Sequence, residues 1–544
     1  MSKKRIIKIV LAVIMVIGAA FFLSYMIFYN PSYSYSEVYN KYYKNLKDID
    51  LAKGLTTEQK LEDFEYLYNT LQKNYPFFEV GKRKTGFDWL SRKEEFEKRI
   101  RETKNNIEFY NEIKRMVTLL QVAHARLVSP ELFEMFKKAL DMPITDGKMK
   151  ELDPFQNPII IKDYEYWKQN IKETTYILPI AFSYIEGKYV AIPYNKNESL
   201  EGYGIPEGSI LLKVNELTSD EYVKSLMDKT FLNYDFKRNK IVKYKLYVFA
   251  DTLGDTIKLT FLSPKGEAIE KTLKPVELVI NQSALDKMPL VKSILVKDKV
   301  AYLKIPAMKI SQKDIEKDGK EIYSFFKEIK NYPYLIIDIR GNGGGNLAYW
   351  VENVVQPLID KKIPYKAYTV VKNYDIKYTK TLDKLPKGKN YPPEVKDDFG
   401  YFAEISYTVT PKNYVGFKGK IYLLTDAGVY SAAESFASFA KATKWATVVG
   451  TPTSGGLGFN PDHLILPNSG LMVRYPNNMA LNPDGTANEE VGTQPDIYVE
   501  ESYDDFVNYL RDRKNIDENN ILNMVKYDTV LKKVLEMTKL FIVK

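Results

Sequence analysis

The stretch "YLIIDIRGNGGGN", Tyr334 to Asn346, passes from a near-continuously apolar run into a charged dipeptide and then three adjacent glycines. An apolar run without alternation reads as a strand buried on both faces, as in a parallel sheet. Each glycine brings extra backbone entropy that folding must remove, so three together imply a need for bare backbone at the strand's end. Two chemistries ask for that: a loop that cradles phosphate, or a loop that offers N–H groups to a reacting carbonyl. A P-loop would place a lysine directly after its glycines, whereas Asn346-Leu347-Ala348 follow here, and "GNGGGN" fits the spacing G-x-G-x-x-G poorly. An oxyanion hole needs only unobstructed N–H groups near a nucleophile.

Around this stretch the pattern is strand–helix–strand. "VAYLKIPAM" reads as a strand and "QKDIEKDGKEIYSFFKEIKN" as an amphipathic helix with Ile315, Ile322, Phe325, Phe326 and Ile329 on one side. "KIYLLTD", a small-residue helix beginning near "SAAESFASFAKATK", and "ATVVGTP" continue the alternation. This predicts an α/β core with a largely parallel sheet over 290–502, closed by C-terminal helices over 503–544. Residues 175–280 change to short alternating runs, with a hairpin around Pro264-Lys265-Gly266. The segment Tyr203–Leu217 looks like part of a PDZ domain, with Ser209 and Glu216 in place of the usual Asp and Gly. Such a domain would offer a sheet edge to an extended peptide; a β-rich spacer without a groove reads equally well. Residues 56–140 read as a helical cap domain that opens on a Thr56–Gln59 capping box and carries His124. Residues 30–55 read as a tether.

The N-terminus has Lys3, Lys4, Arg5 and Lys8 before an uncharged run from Ile9 to Phe28. That run spans roughly 30 Å as a helix, the thickness of a bilayer's hydrocarbon core. Residues 1–29 are therefore expected to be a cytoplasmic basic flank and a single-pass anchor, with the remainder extracytoplasmic. A cleaved signal, which would make the protein secreted, is the alternative, though no A-x-A site follows the run.

Composition narrows the chemistry. The 544 residues are 45% hydrophobic and 27% charged, with a formal charge of +9 spread among interleaved acids, and no basic cluster points to nucleic acid. Cysteine is absent and only His124 and His463 are present, which excludes thiolate chemistry and a multi-histidine metal site within one chain. The richness in lysine, tyrosine, asparagine and isoleucine suggests an AT-rich bacterium.

Four stretches carry candidate chemistry. Ser431 in "LLTDAGVYSAAESFASFAK" stands where a strand–turn enters a helix, beside unpaired N–H groups that favour an oxyanion. Alone it reads as an N-cap, which Glu434 would complete as a capping box. His124 in "LLQVAHARLVSP" reads alone as a helix C-terminal cap, and Glu489 and Glu490 in "GTANEEVGTQPDIYV" as solvated acids. His463 in "FNPDHLILPNSG" matches no catalytic position and reads as a strand-end histidine near the substrate cleft, structural by default.

Taken together, "DIRGNGGGN", "SAAESFA", "VVGTPTSGG" and "EEVGTQPDI" resemble, in order and spacing, the serine peptidases that include the tail-specific (C-terminal processing) proteases and the tricorn core. The resemblance spans roughly residues 57–500. It implies a hydrolase with a core of crotonase-like type, no metal, no organic cofactor, and a peptide or protein as substrate. It implies Ser431 as nucleophile, and the N–H groups of Ala432 and Gly344, with Gly343 the close competitor, as oxyanion hole. Asp338 and Arg340 look structural. The lysine that one branch places 25 residues after its serine falls on Gly456. "LLQVAHARL" resembles the histidine-using branch instead, with His124 as base and Glu489 as the acid that orients it; Val122-Ala123 replace the polar residues that branch often has there. An imidazole base of ordinary pKa would give an acid limb near neutrality. The expected function is a membrane-anchored, extracytoplasmic serine-type endopeptidase. The alternative is an inactive peptidase-like binding or scaffold protein that uses the PDZ-like groove, and a phosphate-binding α/β protein is disfavoured by the missing lysine.

Overall fold

The computed structural model describes residues 43–139, 154–171, 175–194, 198–278, 289–372, 380–458, 461–517 and 520–539. The N-terminal run from Ile9 to Phe28 lies outside them, and among the described residues no helix is long and apolar enough to cross a membrane.

Tyr43, Leu51 and Leu55 are buried, and the Asn106 side chain spans that turn, accepting from Leu55 N–H at 2.8 Å and donating to Leu51 O at 3.0 Å. The tether expected for 30–55 is thus docked from Tyr43 onward, because its apolar side chains find seats on the cap. The cap holds helices α1 (Thr57–Asn74), α2 (Phe78–Thr85), α3 (Lys93–Glu102) and α4 (Asn106–Thr118), then β1 (Arg126–Leu127), α5 (Pro130–Ala139) and α6 (Pro158–Asn170). Thr56 and Gln59 form the expected capping box on α1. His124 does not close a helix: α4 ends at Thr118, and His124 lies in the turn before β1.

The β-rich unit contains β2 (Tyr176–Ile185), β3 (Lys188–Pro193), β4 (Ile210–Val214), α7 (Ser219–Ser225), β5 (Lys245–Ala250), β6 (Ile257–Leu262), β7 (Ala268–Leu273) and β8 (Val276–Glu277). The hairpin read around Pro264-Lys265-Gly266 joins β6 to β7, with Leu262 opposite Ala268. The free edge expected on a PDZ-like sheet is absent from β2. Ala181, Phe182 and Ser183 pair with both β3 and β5, and Tyr176 and Ile177 with both β8 and β5. Phe249 N–H donates to the Tyr222 hydroxyl at 2.8 Å, setting β5 against α7. The segment between α7 and β6 is long enough to fold back, so the chain's own main chain takes ladder bonds along β2.

In the core, β9 (Val291–Val296), β10 (Val300–Lys304), α8 (Gln312–Glu328), β11 (Tyr334–Asp338), β12 (Lys420–Thr425), α9 (Ala432–Thr443) and β13 (Thr447–Gly450) follow the pattern read from sequence. After them come β14 (Asp462–Ile465), β15 (Met472–Tyr475), α10 (Asn488–Val491), β16 (Ile497–Tyr498), α11 (Tyr503–Asp512) and α12 (Thr529–Met537). The sheet order is β9-β10-β11-β12-β13-β16, antiparallel only at β9–β10. β11 and β12 lie side by side, Asp338 opposite Leu424, so the glycine loop and the Ser431 turn leave adjacent strand ends. Open parallel sheets bind ligands at that carboxyl end. The Arg340 guanidinium grips buried Asp338 and, at 2.6 and 2.9 Å, Asp528 at the start of α12; this ties the strand end to the C-terminal helix and makes both residues structural, as expected.

Cap and core share one apolar cluster: Phe64, Leu67 and Ile113 of the cap are buried with Leu466, Leu471 and Val473 of the core. β1 extends the β14–β15 hairpin, Arg126 opposite Arg474 and Leu127 opposite Val473. That ladder carries the His124 turn to the core.

Candidate active site

Ser431 has φ 58° and ψ −121°, a strained conformation for a residue with a Cβ. Its side chain makes no capping bond, so the N-cap reading does not hold. Neither does the capping box. Glu434 is fully buried, with Oε1 accepting from the Thr493 hydroxyl at 2.6 Å and from Asn488. Neighbours hold the strained turn: Tyr430 N–H donates to Asn342 O at 3.1 Å and Ser431 N–H to Gly455 O at 3.3 Å.

The glycine loop packs on that turn. A Cβ on Gly344 would lie 2.8 Å from both Ala432 N and Ser431 Cβ, at a φ of +99°. Only glycine leaves the Ala432 N–H open there. Gly344 N–H donates to Asn342 Oδ1 at 2.9 Å, whereas among the described residues no acceptor takes the N–H of Ala432 or of Gly343. Asn342 is wholly buried and also donates to Ile305 O at 2.9 Å, so one side chain sets the loop's shape.

The His124 ring lies 4.7 Å from the Tyr430 ring, centroid to centroid. Burial, with help from the Arg474 and Arg126 charges, lowers its pKa to about 3, so the ring is neutral at ordinary pH. Glu489 is buried, and desolvation raises its carboxyl to about 7 against the pull of Lys84. The Tyr430 hydroxyl stands 3.3 and 3.4 Å from its two oxygens, and the backbone N–H of His124 points at the same hydroxyl. Ser431, His124 and Glu489 therefore gather around Tyr430. No hydrogen bond joins the imidazole to Ser431 or to Glu489. Gly456 explains the missing lysine: a Cβ there would meet the Tyr430 ring at 2.6 Å, at a φ of +90°. Tyr430 fills the space a side chain at 456 would need.

Glu490, read as solvated, is anchored. Arg83 binds it at 2.7 Å through Nε and Nη2, and binds the buried Glu394 at 2.8 and 2.9 Å, pinning α2 of the cap to α10 of the core. Next along α2, Lys84 donates to Glu489 O at 3.3 Å. His463 lies edge-on to Phe155 at 5.5 Å, opposite Arg474 on the neighbouring strand. Sequence reasoning missed Tyr430, Arg83, Lys84, Arg126 and Arg474. The first sits next to the serine and Arg126 two residues from His124, but nothing in their spacing marks a role.

Residues 299–499 match the model of peptidase family S41. No curated protein matches the chain. Among solved structures, mature CPAF complexed with lactacystin is similar over 89% of this chain and 99% of its own, at 16% identity and a TM-score of 0.55. A further structure of mature CPAF is similar over 87% and 99%, at 15% identity and a TM-score of 0.54. The photosystem II D1 C-terminal processing protease covers 88% of this chain and 99% of its own, at 15% identity and a TM-score of 0.41. At these identities the CPAF structures show a shared fold. Residues 299–499 are thus a domain of peptidase family S41, a family of serine-type peptidases.

Proposed function

We propose that the protein is a membrane-anchored, extracytoplasmic endopeptidase that cleaves peptides or proteins through an acyl-enzyme on Ser431. The observation that carries this reading is the strained Ser431 at the start of α9, beside the open N–H of Ala432 and a loop in which a Cβ at 344 is sterically barred. Strain of this kind, worth ~1–3 kcal/mol, persists where the surroundings over-determine it, and it collects at reactive residues. In this reading Ser431 Oγ attacks the scissile carbonyl while its proton passes to the neutral His124 imidazole. The carbonyl oxygen, now negative, faces the Ala432 N–H and the glycine loop. The imidazolium returns the proton to the leaving amine, and water then cleaves the ester with His124 again as base. Ionised Glu489 stabilises the transient imidazolium across Tyr430. Anchoring rests on the Ile9–Phe28 run and its basic flank.

A fluorophosphonate probe tests the reading: it should label Ser431, and Ser431→Ala should abolish labelling with little change in Tm. Lactacystin, with which CPAF was solved, should compete for the same residue. Labelling that persists at another serine sinks the assignment. For the anchor, the full chain should stay in the membrane fraction without detergent, and a mature N-terminus found within or beyond the apolar run would show a cleaved signal instead.

A further inference from the structure

The small sheet β1-β15-β14 carries an unusual row. Arg126 is the partner of Arg474 across one ladder, and Arg474 is the partner of His463 across the next, so all three project from one face. The neighbouring row, Leu127, Val473 and Leu464, turns the other way and is buried. Like charges directly opposite each other on paired strands repel, and an acid between them would ordinarily relieve this. Here neither guanidinium has an acidic partner among the described residues. Arg126 donates to Ala123 O, through Nε at 3.1 Å, and Arg474 lies 5.5 Å over the Phe136 ring. Arg126 is exposed and Arg474 half-buried.

The position matters as much as the charge. Arg126 is two residues from His124, whose ring packs on Tyr430, the residue before Ser431. Both arginines sit close enough to the imidazole to favour its neutral form, and burial, with the Arg126 charge adding to it, lowers Arg474 itself to about 10. An anion brought between the two guanidinium groups would relieve their mutual repulsion. An arginine fork matches a carboxylate in shape and charge.

We propose that Arg474, with Arg126 beside it, binds a carboxylate of the substrate next to the scissile bond, so that an acidic group determines specificity. This rests on the peptidase reading for the word substrate, but binding is measurable without turnover. The carboxylate comes either from the peptide's C-terminus or from an Asp or Glu side chain.

The test uses the full chain carrying Ser431→Ala and four fluorescent pools of randomised decapeptides: free acid or amide at the C-terminus, each with or without Asp and Glu. Anisotropy should show the pool carrying both kinds of carboxylate, and at least one of the two pools carrying a single kind, binding about 10- to 100-fold more tightly than the amide pool without acids. Comparison of the acid pool lacking Asp and Glu with the amide pool containing them identifies the source. Arg474→Gln should remove the preference with Tm unchanged or raised, since the like-charge pair with Arg126 is eased, and Arg474→Lys, which keeps the charge, should keep part of the preference with Tm near wild type. Equal binding of all pools, absence of binding, or a preference that survives Arg474→Gln overturns the proposal. If Ser431 fails to react with fluorophosphonate while the carboxylate preference is present, the failure belongs to the peptidase reading, and the site stands as a peptide-binding site.

Discussion

Glu489→Gln is the substitution whose consequences the structure defines most fully. Buried beside Tyr430, the Glu489 carboxyl moves from its ordinary 4.5 to about 7. At roughly 1.4 kcal/mol per pH unit, the ionised form then costs the folded state ~3 kcal/mol. The folded chain holds this proton more tightly than the unfolded one. The stability it confers is therefore complete below pH 4.5 and is lost as pH rises through about 7. Glutamine has no charge to bury, so the variant should match the wild type at pH 5 and exceed it by up to ~3 kcal/mol at pH 8 in urea titrations. Activity should move the other way. No hydrogen bond links Glu489 to the imidazole, so its contribution is through-space. A carboxylate separated from an imidazolium by one side chain, at an effective dielectric of about 20, is worth ~2 kcal/mol, or about 30-fold in rate. The wild-type kcat/KM should thus climb by a bounded step of that size through pH about 7. It should not fall without limit on the acid side, because His124, held at about 3, keeps its basic form far below neutrality. The limb near neutrality expected for an ordinary histidine is reassigned to the buried acid. In Glu489→Gln the profile should be flat from pH 5 to 9 at the lower plateau. A limb near pH 7 that survives the substitution, or a variant less stable than wild type at pH 8, would falsify this account.

Gly344→Ala should lose at least ~10²-fold in kcat, because the added methyl falls 2.8 Å from Ala432 N and blocks the donor; rates that stay near wild type would remove Ala432 from the oxyanion hole. Gly456→Lys should fail to create a lysine base and should lower Tm, because the Tyr430 ring occupies that volume; a crystal structure with the lysine seated against Ser431 would contradict this. Arg83→Ala leaves Glu394 buried without its partner and frees Glu490. With Arg83 itself 36% exposed, a loss of ~2 kcal/mol is expected, below the range for fully buried pairs. Activity should fall with it as α10 loosens, and an unchanged urea midpoint would show that the pair is ornamental.

The local elements of the core were legible because each writes its own signal. The unbroken apolar run Tyr334–Asp338, the helical stripe Ile315 to Phe326 and the small-residue helix after Ser431 all depend on neighbours in sequence, and each formed where its periodicity placed it. The glycines announced a need for bare backbone for the same reason: a missing Cβ is visible in one letter. The absence of cysteine and the presence of just two histidines likewise limit the candidates for the base from the sequence alone.

What the sequence could not carry is whatever depends on partners far along the chain. That Ser431 is strained and uncapped follows from Asn342 and Gly455 gripping its turn. That Glu434 is a buried brace follows from Thr493 and Asn488 converging on it. That Glu490 is anchored follows from Arg83, over four hundred positions upstream. β5 fills the edge of β2 because main-chain pairing is blind to side-chain identity, so no residue type gave it away. Tyr430 illustrates the division best. The letter Y beside a serine means nothing alone; packed against His124, set over Gly456 and bonded to Glu489, it decides which residues can take part. Periodicity and glycine placement are one-dimensional and survive in the string of letters. Burial, the titration of His124 and Glu489, and the facing of Arg126 with Arg474 exist only once distant segments share a low-dielectric interior or a common ladder.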